Sequence, residues 1–244
     1  MRLSIVMPVY NEEGTVGRAI GDVLDTRLPG EWELLVVDDG STDGTAERVR
    51  ALGGEPRVRL LSHGGNQGKG AAVRTGLAAA RGELSAIFDA DLEYSAGDLA
   101  RVTEPLVAGR ANAVFGVRAF DGHSSHSFLY VMGNRLVTLV ANVLFNVYIG
   151  DLMCCHKAGR TTLLRSLGCR ESGFGIEAEI AALLFRRRER IYEVPVEYTA
   201  RLTEDGKKLR AADGLSVLIT LLRCRFEARG LRRRGTRSRE RAAS

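Results

Sequence analysis

Two aspartates two residues apart, Asp89 and Asp91, follow directly on the apolar run Ser85-Ala86-Ile87-Phe88. Hard divalent cations take oxygen ligands, and magnesium commonly uses one or two carboxylates completed by water and substrate phosphates. Asp89 and Asp91 therefore offer a Mg2+ or Mn2+ site. An isolated Asp-x-Asp is common on surfaces; its place at the end of a buried strand gives it weight.

A second acidic strand end is Asp38-Asp39, continued by Gly40-Ser41-Thr42-Asp43-Gly44-Thr45. Carboxylates there can accept hydrogen bonds from ribose hydroxyls or a base N–H. In the earlier run Pro8-Val9-Tyr10-Asn11-Glu12, the Tyr10 ring can stack on a base. The same residue types also make a turn and a helix cap. Two adjacent charges, however, are costly without donors or a ligand to compensate them. The run Gly64-Gly65-Asn66-Gln67-Gly68-Lys69-Gly70 invites comparison with phosphate-cradling loops. A P-loop would need glycine where His63 stands and a hydroxyl residue where Gly70 stands, so it does not fit. Lys69 and Arg74 remain candidate partners for a diphosphate. Outside the metal set, Glu177 and Glu179 are the candidate general bases, although two acids at a helix start also suit its dipole. His63, His123, His126 and His156 show no ligand spacing and read as surface or core residues. Cys154, Cys155, Cys169 and Cys224 lack zinc spacing and read as reduced thiols.

These groups need a scaffold that brings strand ends together. Apolar runs at Leu3–Met7, Trp32–Val37, Val58–Ser62, Leu84–Phe88 and Ala113–Val117 read as strands. Val16, Ala19, Ile20, Val23 and Leu24 recur at helical spacing, and helices are expected from Thr42, Lys69 and Gly97. The alternation predicts an α/β fold with a mainly parallel, Rossmann-like sheet flanked by helices. Ligands in such sheets bind beyond the carboxyl ends of the strands. The second half is expected to hold a long amphipathic segment over Gly133–Phe145, a helix Ile176–Arg187, a strand Glu193–Tyr198 and a helix Ala211–Ala228.

With 244 residues, 45% hydrophobic and 27% charged, the chain has the composition of a globular domain. Net charge is +5, but Arg223–Ser244 alone holds nine arginines against two glutamates. A nearly neutral body with a basic tail argues against a nucleic-acid groove and for local contact with an anionic surface. Leu3–Met7 is too short for a secretory signal, and Phe128–Ile149 is interrupted by polar residues, so no spanning helix is expected. The chain reads as cytoplasmic, with peripheral contact at the inner membrane face left open.

Taken together, Pro8-Val9-Tyr10-Asn11-Glu12, the Asp38–Thr45 run, Asn66-x-Gly68-Lys69-Gly70 and Asp89-Ala90-Asp91 resemble the family 2 glycosyltransferases, and among them the dolichyl- and polyprenyl-phosphate mannose synthases. Gly116-Val117-Arg118, Asp151 with Lys157, Phe174 with Glu179, and Glu193-Val194-Pro195-Val196 followed by Arg201 and Lys207 continue the match over residues 3–210. The resemblance implies a GT-A fold. A single catalytic domain would cover 1–228, with a nucleotide-sugar half (1–118) and an acceptor half (119–228); the basic tail, 229–244, would be disordered. It implies that Pro8, Tyr10, Glu12 and Asp39 hold the nucleoside, where Asp38 and Lys69 add candidate donor contacts, and that Asp89 and Asp91 bind the metal that grips the sugar diphosphate. Glu93, where relatives usually carry Gln, departs from the pattern and offers a third metal carboxylate. Arg118, Arg201 and Lys207 would meet phosphates, with Lys157 standing where relatives carry arginine. The implied reaction is metal-dependent, inverting transfer of a hexose from GDP-mannose or a UDP-hexose to a polyprenyl phosphate. The alternative is a hydroxyl acceptor in polysaccharide or secondary-metabolite assembly, which would need Glu179 or Glu177 as base.

Overall fold

The computed structural model describes residues 1–52, 54–118, 128–199 and 211–227, without the side chains of 129, 130 and 211–213. The expected alternation is present: β1 (Arg2–Val9), α1 (Val16–Asp25), β2 (Glu31–Asp38), α2 (Thr45–Ala51), β3 (Val58–Ser62), α3 (Lys69–Ala79), β4 (Leu84–Ile87), α4 (Asp98–Val107) and β5 (Ala113–Arg118). The second half supplies α5 (Phe128–Phe145), β6 (Lys157–Arg160), α6 (Thr161–Ser166), α7 (Ile176–Arg186), β7 (Ile191–Val196) and α8 (Ala211–Phe226).

The seven strands form one sheet in the order β3-β2-β1-β4-β6-β5-β7. All neighbours are parallel except β6, which runs antiparallel to both β4 and β5. β6 and α6 lie outside the elements expected from sequence. Lys157-Ala158-Gly159-Arg160 is four residues long, holds a glycine and two cations, and has no apolar alternation to betray it. The strand expected at Glu193–Tyr198 lies two residues earlier, and the helix expected from Thr42 starts at Thr45.

Side chains alternate across β1. Leu3, Ile5, Met7 and Val9 pack with Val16, Ala19, Ile20 and Val23 of α1 and Leu99, Val102 and Leu106 of α4. Val6 faces the other way, toward Ala72, Val73 and Leu77 of α3, in a core shared with α5, α7 and α8. Helices thus cover both faces, as near-continuous apolar strands require. The register also fixes where the strands stop: Val9 lies opposite Asp38, and Asp38 opposite Ser62, so β1, β2 and β3 end level with one another. Phe88 donates its N–H to the Val6 carbonyl (3.0 Å), bringing the end of β4 alongside. The chain reverses its winding between β1 and β4, a topological switch point at which α/β sheets bind ligands.

Candidate active site

The three level strand ends open into a cleft of about 550 Å³ whose walls include Tyr10, Asp38, Gly40–Asp43, and His63–Asn66. Its rim is knitted from two loops. Asn11 donates its N–H to Ser41 Oγ (2.9 Å) and accepts from the Thr42 N–H at Oδ1 (2.9 Å). Glu12 donates its N–H to Thr45 Oγ1 (2.8 Å). Gly40 has φ +71°, and a Cβ there would lie 2.5 Å from the Gly65 backbone, so glycine lets the two walls meet.

The adjacent aspartates divide their work. Asp38 lines the cleft and accepts from the Ser41 N–H (3.0 Å). Asp39, 2% exposed, accepts from the Gln67 and Gly68 N–H groups (3.0 and 2.6 Å) and shares a 2.6 Å hydrogen bond with His63 Nδ1. His63 Nε2 in turn meets Thr75 Oγ1 (2.9 Å). Asp39 therefore holds the 63–68 loop, and the N–H donors of that loop compensate the doubled charge. Pro8 sits inside β1 opposite Val37, while Glu12 accepts from Thr15 Oγ1 (2.7 Å) and, through its carbonyl, from the N–H groups of Thr15 and of Val16, the first residue of α1. Neither is among the walls of the cleft.

Lys69 starts α3 and bridges two carboxylates, Asp89 Oδ2 and Glu177 Oε1, each at 2.7 Å. Burial opposes its charge, but Asp89 and Glu177 outweigh burial and hold the ammonium well above its usual range. Gly68 and Gly70 let the 171–172 backbone come close. A Cβ on either would lie 2.3 or 2.2 Å from the Ser172 or Glu171 carbonyl, and the Gly70 N–H donates to Ser172 O (2.6 Å). The glycines that failed as a phosphate loop are packing glycines. Arg74, expected near a diphosphate, donates instead to the Glu171 carbonyl.

Asp91 follows in a turn closed by the Glu93 N–H to Asp91 Oδ1 (3.1 Å), with Leu92 at φ +60°, a conformation rare for a branched residue. Loss of solvent, then the charges of Asp89 and Glu93, push the Asp91 carboxyl up to about 7. Glu93 Oε2 accepts from the Tyr198 hydroxyl (3.1 Å). Among the described residues no three His, Cys, Asp or Glu side chains are grouped to hold a metal, so the expected three-carboxylate set is not preassembled. The all-oxygen pair Asp89/Asp91 still fits a hard cation that completes its shell with water and phosphates, and mutual repulsion between the two favours a cation's arrival.

Several expected phosphate contacts are elsewhere. Arg118, 5% exposed, forms a bidentate pair with Asp151 (2.6 and 2.9 Å) and lies over the Tyr198 ring. Lys157 is fully enclosed, donating to the Leu152 and Cys154 carbonyls (2.9 and 2.5 Å), and burial lowers its pKa. It is a scaffold cation rather than an open phosphate contact. Glu179, 0% exposed, accepts from the Arg170 and Glu171 N–H groups, both at 2.7 Å. Glu177 is committed to Lys69. Arg201, Lys207 and the 229–244 tail lie outside the described residues. Sequence reasoning missed Glu171, whose side chain accepts from Thr220 and Arg223 of α8 (2.8 and 2.6 Å). No motif marks it, because its partners are 49 and 52 residues away.

The sequence profile of glycosyl transferase family 2 matches residues 4–168, the stretch that carries β1 through β6 and both acidic strand ends. The chain belongs to this family. Among curated relatives, this family 2 chain is 29% identical over 171 residues to the dodecaprenyl-phosphate galacturonate synthase of Rhizobium johnstonii, covering 68% of this chain and 50% of that one. It is 27% identical over 248 residues to the dolichyl-phosphate β-glucosyltransferase of Saccharomyces cerevisiae, covering 86% and 70%. The chain thus spans half the length of the first relative. Glucosyl-3-phosphoglycerate synthase from Mycobacterium tuberculosis, solved with Mn2+, UDP and phosphoglyceric acid, superposes with a TM-score of 0.74 at 23% identity over 92% of this chain and 78% of that one. That likeness shows a GT-A fold.

Proposed function

We propose that this glycosyltransferase moves a hexose from a nucleotide diphosphate donor to a polyprenyl phosphate, with inversion and with a divalent metal. The observation that carries the donor half is the cleft itself: an aromatic ring, Tyr10, and a carboxylate, Asp38, line it at the ends of β1 and β2, while the half-buried Asp89/Asp91 pair follows β4, the strand paired with β1 on its other side. Tyr10 would stack on the base and Asp38 would accept from a base N–H or the ribose. Asp89 and Asp91 would hold Mg2+ or Mn2+, which when bound neutralises charge on the diphosphate. Lys69, held protonated beside Asp89, adds a cation at the leaving group.

The acceptor half rests on the curated relatives, both named for a polyprenyl or dolichyl phosphate. An acceptor phosphate oxygen is already anionic near neutral pH. It would attack the anomeric carbon as the bond to the nucleotide diphosphate breaks, and no strong base is needed. The placement of the two candidate bases supports this, since Glu179 holds backbone N–H groups and Glu177 holds Lys69. Replacing Glu179 by Gln is expected to lower kcat by no more than about tenfold, because one amide oxygen still accepts from the loop, and to leave the acidic limb of the pH profile in place. A profile whose acidic limb disappears in Glu179→Gln would restore the hydroxyl-acceptor reading.

The overall test is a panel of labelled nucleotide sugars offered with polyprenyl phosphate or with sugar hydroxyls, with Mg2+, with Mn2+ and with chelator. Metal-dependent product on the lipid phosphate is expected. Product only on hydroxyls, or full turnover in chelator, would overturn the reading. Contact with a membrane surface through the basic tail belongs to the same proposal.

A further inference from the structure

We propose that the outer faces of α5 and α8 form a docking surface for an anionic lipid bilayer. On α5, Leu136, Leu139 and Val143 are 57%, 57% and 74% exposed; on α8, Leu215, Ile219, Leu222 and Phe226 are 63%, 57%, 46% and 75% exposed. Steps of three, four and seven residues place each set on a single helical stripe. The stripes are not the inward faces of helices left without a partner. Val137 and Ala141 of α5, and Val217, Leu221 and Cys224 of α8, already fill the core against α7. The two helices also pack on each other, so the stripes lie on neighbouring elements. Exposed apolar stripes on two helices packed against each other are uncommon on soluble domains and mark an interaction site.

Charge selects a bilayer as the occupant. The 18 residues of α5 carry one charged side chain, Arg135, and no acid. In α8 the one acid, Asp213, belongs to the first turn, while Arg223 and Arg225 occupy the last. The sequence then runs into Arg229, Arg232, Arg233, Arg234, Arg237, Arg239 and Arg241. Apolar stripes continuing into a cationic segment suit the acyl and headgroup layers of an anionic leaflet. A second copy would instead bring two cationic segments together. Among the described residues no helix is long and apolar enough to cross a membrane, so these two would lie in its plane.

The face is also tied to the candidate active site. Thr220 and Arg223 of α8 hold Glu171, in the loop whose Ser172 carbonyl accepts from Gly70 beside Lys69. For its use, docking rests on the lipid-phosphate reading, because an acceptor anchored in a bilayer must be met there.

The test is flotation of the full chain with phosphatidylcholine vesicles, with and without phosphatidylglycerol, for the wild type, for Leu139→Glu/Ile219→Glu, and for Leu136→Gln/Leu222→Gln. Wild-type binding should require the anionic lipid, and each double variant should lose about tenfold or more in partitioning. Both variants should keep the wild-type melting profile, since all four positions are exposed. Unchanged vesicle binding by both variants overturns the proposal. So does a wild-type dimer that both variants dissociate without any change in vesicle binding, which would assign the face to a second copy. Transfer to polyprenyl phosphate dispersed in detergent separates the two readings: it should survive in both variants, and its absence in the wild type would remove the acceptor reading while leaving vesicle docking intact.

Discussion

Asp91→Ala is expected to lower transfer by about a thousandfold or more, corresponding to several kcal/mol of lost charge stabilisation in the transition state. The fold should not suffer. The Asp91 carboxyl is pushed up to about 7, first by loss of solvent and then by Asp89 and Glu93. A carboxyl whose folded pKa exceeds its unfolded value, 3.8 here, favours the fold in its protonated form. That contribution is complete below the unfolded value and is lost as pH rises through about 7, so ionised Asp91 works against stability. Asp91→Ala should therefore melt at or above the wild-type temperature at about pH 8, while losing activity. Metal binding should show the same linkage from the other side: a cation must displace the Asp91 proton below about pH 7, and affinity should rise by up to about tenfold per pH unit until the group is ionised. Calorimetric titration of Mn2+ at about pH 6 and about pH 8, with donor nucleotide present, measures it. Flat affinity across that range, or near-wild-type turnover by Asp91→Ala, would remove Asp91 from the metal site.

The acidic strand ends were legible because two signals coincide there: an apolar run of strand length, then carboxylates where a chain leaving a parallel sheet faces ligand. Together they place Asp38, Asp39, Asp89 and Asp91 correctly in the fold, at the ends of β2 and β4. They do not distribute the work among neighbours. Asp38 faces the cleft while Asp39 faces the 63–68 loop, a division set by which N–H groups that loop presents. Lys157 shows a different limit. The resemblance sets it at a phosphate position, yet β6 inserts between β4 and β5 and encloses it, with two carbonyls and the Phe115 ring as surroundings. The antiparallel β6 depends on pairing with Leu84–Ala86 and Ala113–Phe115, both remote in sequence, which local propensity does not encode. Arg223 and Glu171 likewise meet only because α8 folds back over α7.

Arg118 carries the second large expectation, and it concerns stability before chemistry. Its guanidinium sits at the end of β5 with both oxygens of Asp151 as partners, and Asp151 also accepts from Asn134 of α5 (3.1 Å) and the Met153 N–H (3.1 Å). Burial alone would raise the Asp151 pKa, but Arg118 outweighs it and holds the carboxyl below its usual range. Removing one member leaves the other charge buried and unpaired, which costs about 3–5 kcal/mol, whereas replacing both with apolar side chains of similar volume is often close to neutral. Arg118→Ala and Asp151→Ala should each show a large fall in melting temperature. Because the folded Asp151 pKa is depressed, the pair's contribution is present above the unfolded carboxylate value and fades as pH falls through the folded one. The melting deficit of Arg118→Ala should therefore shrink in acid. The double variant Arg118→Met/Asp151→Leu separates scaffold from catalysis. If the pair serves to join β5 to α5 and the 151–154 turn, the double variant recovers most of the stability and, with it, transfer. If Arg118 also meets the acceptor phosphate, the double variant folds but its KM for the acceptor rises while donor binding is unchanged. A double variant as unstable as Arg118→Ala would show that the charges themselves, rather than the enclosed volume they fill, hold this corner of the fold.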